Sequence, residues 1–142
     1  MKHKVKNIHF VGIGGSGMSI LIADKGPSTI TGGSSGGDIL IGDYTTYDAM
    51  TTANELALMS ILAEWQSADS YAVRFHDINT GTGGGLNGTA KLNWGTTVKD
   101  DGAPDAPVTL TAAPSALALD WFFLDTNDTK VNYEAGEHVN NT

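Results

Sequence analysis

The sequence predicts an α+β fold: short β-strands in a sheet or partial β-roll, packed against a long amphipathic helix. Three observations predict it. Of 142 residues, 40% are apolar and only 17% charged. The surface therefore leans on Thr, Ser, Asn and Gly, a balance that favours turn-rich β structure. The stretch Thr31–Asp43 then follows the nine-residue pattern G-G-x-G-x-D-x-U-x (U, large apolar) from Gly33: Gly33, Gly36, Asp38 and Leu40 fit, and Ser34 replaces the second glycine. That pattern is one half-turn of a calcium-loaded parallel β-roll, with glycines for the tight turn, an aspartate for the ion and an apolar residue pointing inward. Finally, residues 43–80 contain neither Gly nor Pro and carry apolar residues at helical spacing.

Composition narrows the function classes. The net charge is −8 and the pI about 4.6, so nucleic acid is an unsuitable partner, because its phosphates call for a basic face. The charge is divided unevenly. Residues 1–25 carry Lys2, Lys4, Lys6 and Lys25 against Asp24, a net of +3, and residues 26–142 carry 4 basic and 15 acidic residues, a net of −11. With no cysteine there are no disulfides or thiolate metal sites. No apolar run of about 20 residues is present to span a membrane. The basic start is followed by an apolar part broken by Gly12, Gly14, Gly15 and Gly17, which does not suit a cleaved signal.

Within residues 1–25, Asn7–Ile13 reads as a short buried strand, Gly12-Ile-Gly-Gly-Ser-Gly17 as a G-x-G-x-x-G loop, and Met18–Ala23 as the start of a helix. This is the order that a dinucleotide-type turn requires: Gly12, Gly14 and Gly17 admit a pyrophosphate, and the helix N-terminus receives its charge. Lys25-Gly-Pro27 stops the helix within two turns, so the usual βαβ unit is missing. The string Lys4–Ser19 closely resembles the start of bacterial UDP-N-acetylmuramate–alanine ligases, where it forms the first strand and glycine loop of the UDP-sugar domain. The family's G-x-x-G-K-[ST] loop, metal-binding carboxylates and further domains have no counterpart here. The expectation is therefore a strand and turn that pack on the rest, or a disordered arm, with no ligase activity.

In residues 26–48, Gly26–Thr31 resembles a worn copy of the roll half-turn, with Ser28 for the aspartate and Ile30 for the apolar residue. Strands are expected at Thr29–Thr31 and Ile39–Ile41. Asp38, with the Gly33, Ser35 and Gly36 turn and Asp43 nearby, supplies part of the six to eight oxygens that calcium takes.

In residues 48–80, Asp48 or Thr51 caps a helix, and Leu58, Ile61, Leu62, Trp65, Ala68, Ala72 and Phe75 form its apolar stripe. Ser67-Ala-Asp-Ser70 is the place where it would break in two. The stripe reads as core. His76 beside Asp77 lacks a third catalytic partner and reads as a surface histidine.

Residues 81–142 alternate turns and short strands. Gly81–Gly85 is a loop and Asn87-Gly88 a hairpin-type turn. Leu92–Trp94, Thr96–Val98, Val108–Thr111 and Leu119–Leu124 read as strands, and Asp100–Asp105 as a tight acidic turn that brings Asp101 and Asp105 into the metal set. Asp120 and Phe122 repeat the D-x-U spacing, but Ala112, Ala113 and Pro114 stand where the glycines belong, so no ion is expected there. Asp125–Lys130 starts like an EF-hand loop and lacks its sixth-position glycine and its twelfth-position Glu.

Residues 26–142 resemble the C-terminal ends of bacterial haemolysin-type (repeats-in-toxin, RTX) calcium-binding proteins. The strings that carry the resemblance are the Gly-Asp repeat, Leu58–Tyr71, Gly85–Gly88, Asp100–Gly102 and Leu119–Phe123. The resemblance implies a non-enzymatic, calcium-binding structural module that is extracellular and secreted without a cleaved N-terminal signal. A cytoplasmic location would follow if the N-terminal resemblance governed. Residues 1–25 are then a ligase-like strand and glycine loop, and 26–142 the RTX-like α+β domain. Two other readings stand beside it: a small nucleotide-binding module using Gly12, Gly14 and Gly17, and a spliced chimera without evolved function, with its junction near Ser19–Gly26. Exposed strand edges offer a route to self-association.

Overall fold

The computed structural model describes residues 9–11, 17–23, 29–33, 36–100, 109–111 and 118–141. In chain order the strands and helices are β1 (His9–Val11), β2 (Ile20–Ile22), β3 (Thr29–Thr31), β4 (Ile39–Ile41), β5 (Tyr44–Thr45), α1 (Thr52–Trp65), α2 (Tyr71–Thr80), β6 (Val98–Lys99), β7 (Thr109–Thr111), β8 (Trp121–Leu124), β9 (Thr129–Val131) and β10 (His138–Asn141). The fold is α+β. One sheet runs β1-β2-β4-β8-β10 and a second β3-β7-β9. Apart from β1, which is antiparallel to β2, all neighbours in both sheets are parallel.

The chain crosses from one sheet to the other at each step: β2, β4, β8 and β10 lie in the large sheet, and β3, β7 and β9 in the small one. This is the winding of a β-roll. Register follows the D-x-U spacing, with Ile39 opposite Trp121 and Leu40 opposite Phe122. Strands β3 and β4 fall where the sequence places them.

Both faces of the large sheet are covered at its centre, which explains why β2, β4 and β8 are continuous apolar runs. Successive side chains point to opposite faces. Leu21, Leu40, Phe122 and Leu124 face inward and pack with Ala23 and Ile30 inside the roll. Ile20, Ile22, Ile39, Ile41, Trp121 and Phe123 face outward and pack against Leu58, Ile61, Leu62, Trp65 and Ile78 of the helices. The result is three layers: helices, large sheet, small sheet.

The helices belong to an insertion between β4 and β7. Its neck is a short antiparallel ladder, Tyr44 opposite Lys99 and Thr45 opposite Val98. Thr51 caps α1 by accepting from the Asn54 N–H (3.2 Å), and Ser70 caps α2 by accepting from Val73 N–H (3.4 Å). The break at 66–70 swings α2 to a new direction, so the expected stripe ends at Trp65: Ala68 and Ala72 are exposed, and Phe75 rejoins the core only in part.

Two expected elements are different. Met18–Ala23 is not a helix start; Ile20–Ile22 is β2, all three residues buried. Two β-branched residues with an apolar face on each side suit a central strand, and β1 and β4 supply hydrogen bonds on both edges. The large sheet thus runs across the family boundary expected at Gly26. Leu92–Trp94 is not a strand either. The Asn93 carbonyl instead accepts from the N–H groups of Thr96, Thr97 and Val98, a turn that leaves only a bridge between Trp94 and Val98.

Candidate functional site

Four polar residues stand one position before the four parallel strands of the large sheet: Ser19, Asp38, Asp120 and Glu137. All four are buried. The backbone N–H of each of the first three donates to the carboxylate on the next strand. Ser19 N–H bonds Asp38 Oδ1 (2.8 Å), Asp38 N–H bonds Asp120 Oδ1, and Asp120 N–H bonds Glu137 Oε1 (3.2 Å). The D-x-U aspartates are therefore rungs of one acidic ladder.

Asp38 is nearly saturated by the chain. Its Oδ1 also accepts from the Ser19 hydroxyl (2.5 Å), and Oδ2 accepts from Gly33 N–H (2.6 Å). Gly32 lies so close over Oδ2 that a Cβ there would collide with it. Burial pushes the Asp38 carboxyl above the usual carboxylate range, against the hydrogen bonds from Ser19 and Gly33. Asp120 is pushed up to about 7, chiefly by burial and further by the charges of Asp38 and Glu137. Its Oδ2 is buried without a hydrogen-bond partner. The ladder is thus built to hold protons and backbone amides, and Asp38 has little left for an ion.

Among the described residues, the other sequence-derived carboxylate does not join it. Asp43 is buried at the far end of β4, separated from Asp38 by a three-residue strand of about 10 Å. Gly33 and Gly36 border the turn before Asp38, while Ser35, Asp101 and Asp105 lie outside the described residues. So do Gly12 and Gly14. Gly17 takes a positive φ of 69°, but the segment behind it is β2, so no helix N-terminus follows to receive a phosphate. His76 is exposed.

A second cluster, absent from the sequence-derived set, lies in the insertion. Glu64 of α1, Asp77 of α2 and Asn87 of the following turn are all buried. Their oxygens surround one point: a Cβ placed on Gly85 would lie 2.6 Å from Glu64 Oε2, 2.7 Å from Asn87 Oδ1 and 2.8 Å from Asp77 Oδ2. Asn87 is held in this orientation because its Nδ2 donates to the carbonyls of Asp77 (2.9 Å) and Ala90 (2.7 Å). Leu86 N–H donates to Glu64 Oε2 (2.7 Å). Glu64 Oε1 and Asn87 Oδ1 are buried without a hydrogen-bond partner.

Among the described residues, no group of three or more His, Asp or Glu side chains is placed to hold a metal ion; the Glu64 cluster has two carboxylates and an amide. No described helix is long and apolar enough to cross a membrane. Comparison with protein-family models and with solved structures found no match.

Proposed function

We propose that the chain is a non-enzymatic, calcium-responsive structural module: a short β-roll braced by a helical insertion, of the extracellular kind that the haemolysin-type resemblance implies. The observation that carries this reading is the alternation of β2, β3, β4, β7, β8, β9 and β10 between two parallel sheets, with the D-x-U aspartates in register. The charge supports it as well. Residues 26–142 carry a net of −11, and a compact acidic chain repels itself until a cation neutralises part of that charge. The donors of the chain already occupy Asp38, which turns the search for an ion site to other oxygens. Buried, unpartnered oxygens are the feature to look for, and the insertion has them. The terminal strands β9 and β10 leave sheet edges that would carry self-association.

Thermal melting of the full chain in EDTA, in millimolar calcium and with a UDP-sugar tests the reading. A rise in Tm with calcium alone is expected. No response to calcium removes the function, and a response to the UDP-sugar alone would replace it with nucleotide binding.

A further inference from the structure

We infer that the insertion holds one calcium ion between Glu64, Asp77 and Asn87, under the Gly83–Gly85 loop; this rests on the reading of the chain as calcium-responsive and gives that response its address.

The chemistry of the donors selects the ion. All three side chains offer oxygen, two as carboxylates and one as an amide, which is a hard set suited to calcium or magnesium and poorly suited to zinc or copper. The three oxygens lie 2.6–2.8 Å from a common point. Calcium binds oxygen at about 2.3–2.6 Å and completes its shell with backbone carbonyls and water, whereas magnesium demands about 2.1 Å and strict octahedral order. Two carboxylates and an amide drawn from three different elements suit calcium's irregular shell better than magnesium's strict octahedron.

Burial makes a cation necessary as well as suitable. Two carboxylates this close and this dry repel each other strongly unless a positive charge or a proton joins them. Arg74 lies within electrostatic range of Glu64. Its Nη1 donates instead to the Trp65 carbonyl (2.5 Å) and to the Met18 sulfur, and its guanidinium lies over the Trp65 ring. That leaves Glu64 Oε1 and Asn87 Oδ1 without partners in the interior. The amide of Asn87 is not free to turn away, because both of its N–H groups are engaged.

The glycines fit the same account. A Cβ on Gly85 would sit among the three oxygens, and one on Gly83 would strike Asp77 Oδ1. The loop passes so close over the carboxylates that it leaves no room for a side chain at either position.

Isothermal titration and thermal melting with calcium chloride test the assignment on the full chain. Wild type is expected to bind one calcium and to rise in Tm by about 5 °C near saturation. Glu64→Gln and Asp77→Asn keep shape and remove charge; each should abolish the rise, and Glu64→Gln should melt higher than wild type in EDTA because a buried repulsion is gone. Gly85→Ala keeps both carboxylates and should also abolish binding, so the assignment stays testable if a charge variant fails to fold. Asp38→Asn should keep the rise. A wild type that does not bind calcium overturns the calcium-responsive function itself. A calcium response that survives in Glu64→Gln and Gly85→Ala leaves that function standing and overturns this address.

Discussion

The roll and its insertion both bury carboxylates, and they do so in opposite ways. In the roll, Asp38, Asp120 and Glu137 are stacked one strand apart, and a backbone amide of the neighbouring strand donates to one oxygen of each, while Asp120 Oδ2 is left without a partner. In the insertion, Glu64 and Asp77 are brought together from two helices, with only the Leu86 amide reaching Glu64. The first arrangement is periodic, because the same position precedes each strand. The second is a single convergence, set by how α1, α2 and the 81–88 loop meet. Burying an acid is tolerable when donors or an ion accompany it; the roll supplies donors, and the proposed calcium would supply the cation in the insertion.

Removing a rung should give the largest effect. Asp38→Ala strands the Ser19 amide, the Ser19 hydroxyl and the Gly33 amide, and should destabilise by about 3 kcal/mol or more in urea titration, equally with and without calcium. A loss under about 1 kcal/mol would mean that the ladder is not holding the strands.

Next in size is a pH dependence that belongs to the ladder alone. Asp120 titrates near 7 in the fold against an ordinary value of 3.8. The folded state then binds more protons than the unfolded one between those values, so this group's contribution is fully present below about pH 4 and is lost as pH rises to about 7. Asp120→Asn should flatten that slope between pH 4 and 7 in stability measurements; an unchanged slope would assign it to another group.

In the insertion the sign reverses with the ion. Without calcium, Glu64→Gln should raise stability by about 1–2 kcal/mol by relieving buried repulsion. With calcium it should be the less stable chain. Differential scanning calorimetry in the two buffers reads the crossing, and parallel curves would show that the two carboxylates do not share an ion. The smallest effect is a control: Thr51→Ala removes the α1 cap (3.2 Å to Asn54 N–H) and should cost about 1 kcal/mol in either buffer. If that loss depended on calcium, the ion and the start of α1 would be coupled.

How far this was legible in the sequence follows the same division. The roll declares itself locally: the Gly33–Leu40 pattern placed β3 and β4, and Asp120/Phe122 repeated the spacing that puts Asp120 in the ladder. Ile20–Ile22 was misread as a helix start because the glycine motif before it has that precedent. A strand covered on both faces shows no alternation to contradict such a reading. That Asp38 bonds to the chain was not legible, since it depends on Ser19 lying one strand away. Glu64, Asp77 and Asn87 come from three elements and share no spacing. The one local hint was an acidic residue at Glu64, three positions after Ile61 and beside Trp65, within the apolar stripe.

Four hydrogen bonds at the elbow between α1 and α2 have a consequence for assembly. Gln66 donates to the Met18 carbonyl (3.0 Å), Trp65 Nε1 to that of Gly37 (2.8 Å), and the Tyr71 hydroxyl to that of Asp120 (2.6 Å), while His138 N–H donates to the Tyr71 oxygen (2.9 Å). The elbow therefore touches every parallel strand of the large sheet just where each begins. Winding the roll means joining Asp38 to Asp120 across 82 residues, a closure that is slow for a free chain. Helices built from near neighbours that formed first would offer the incoming strands their contacts, as a jig holds slats before they are fastened. We expect Trp65→Phe to refold more slowly with little change in its unfolding rate; faster unfolding alone would mean that the elbow fastens the roll only after it is wound.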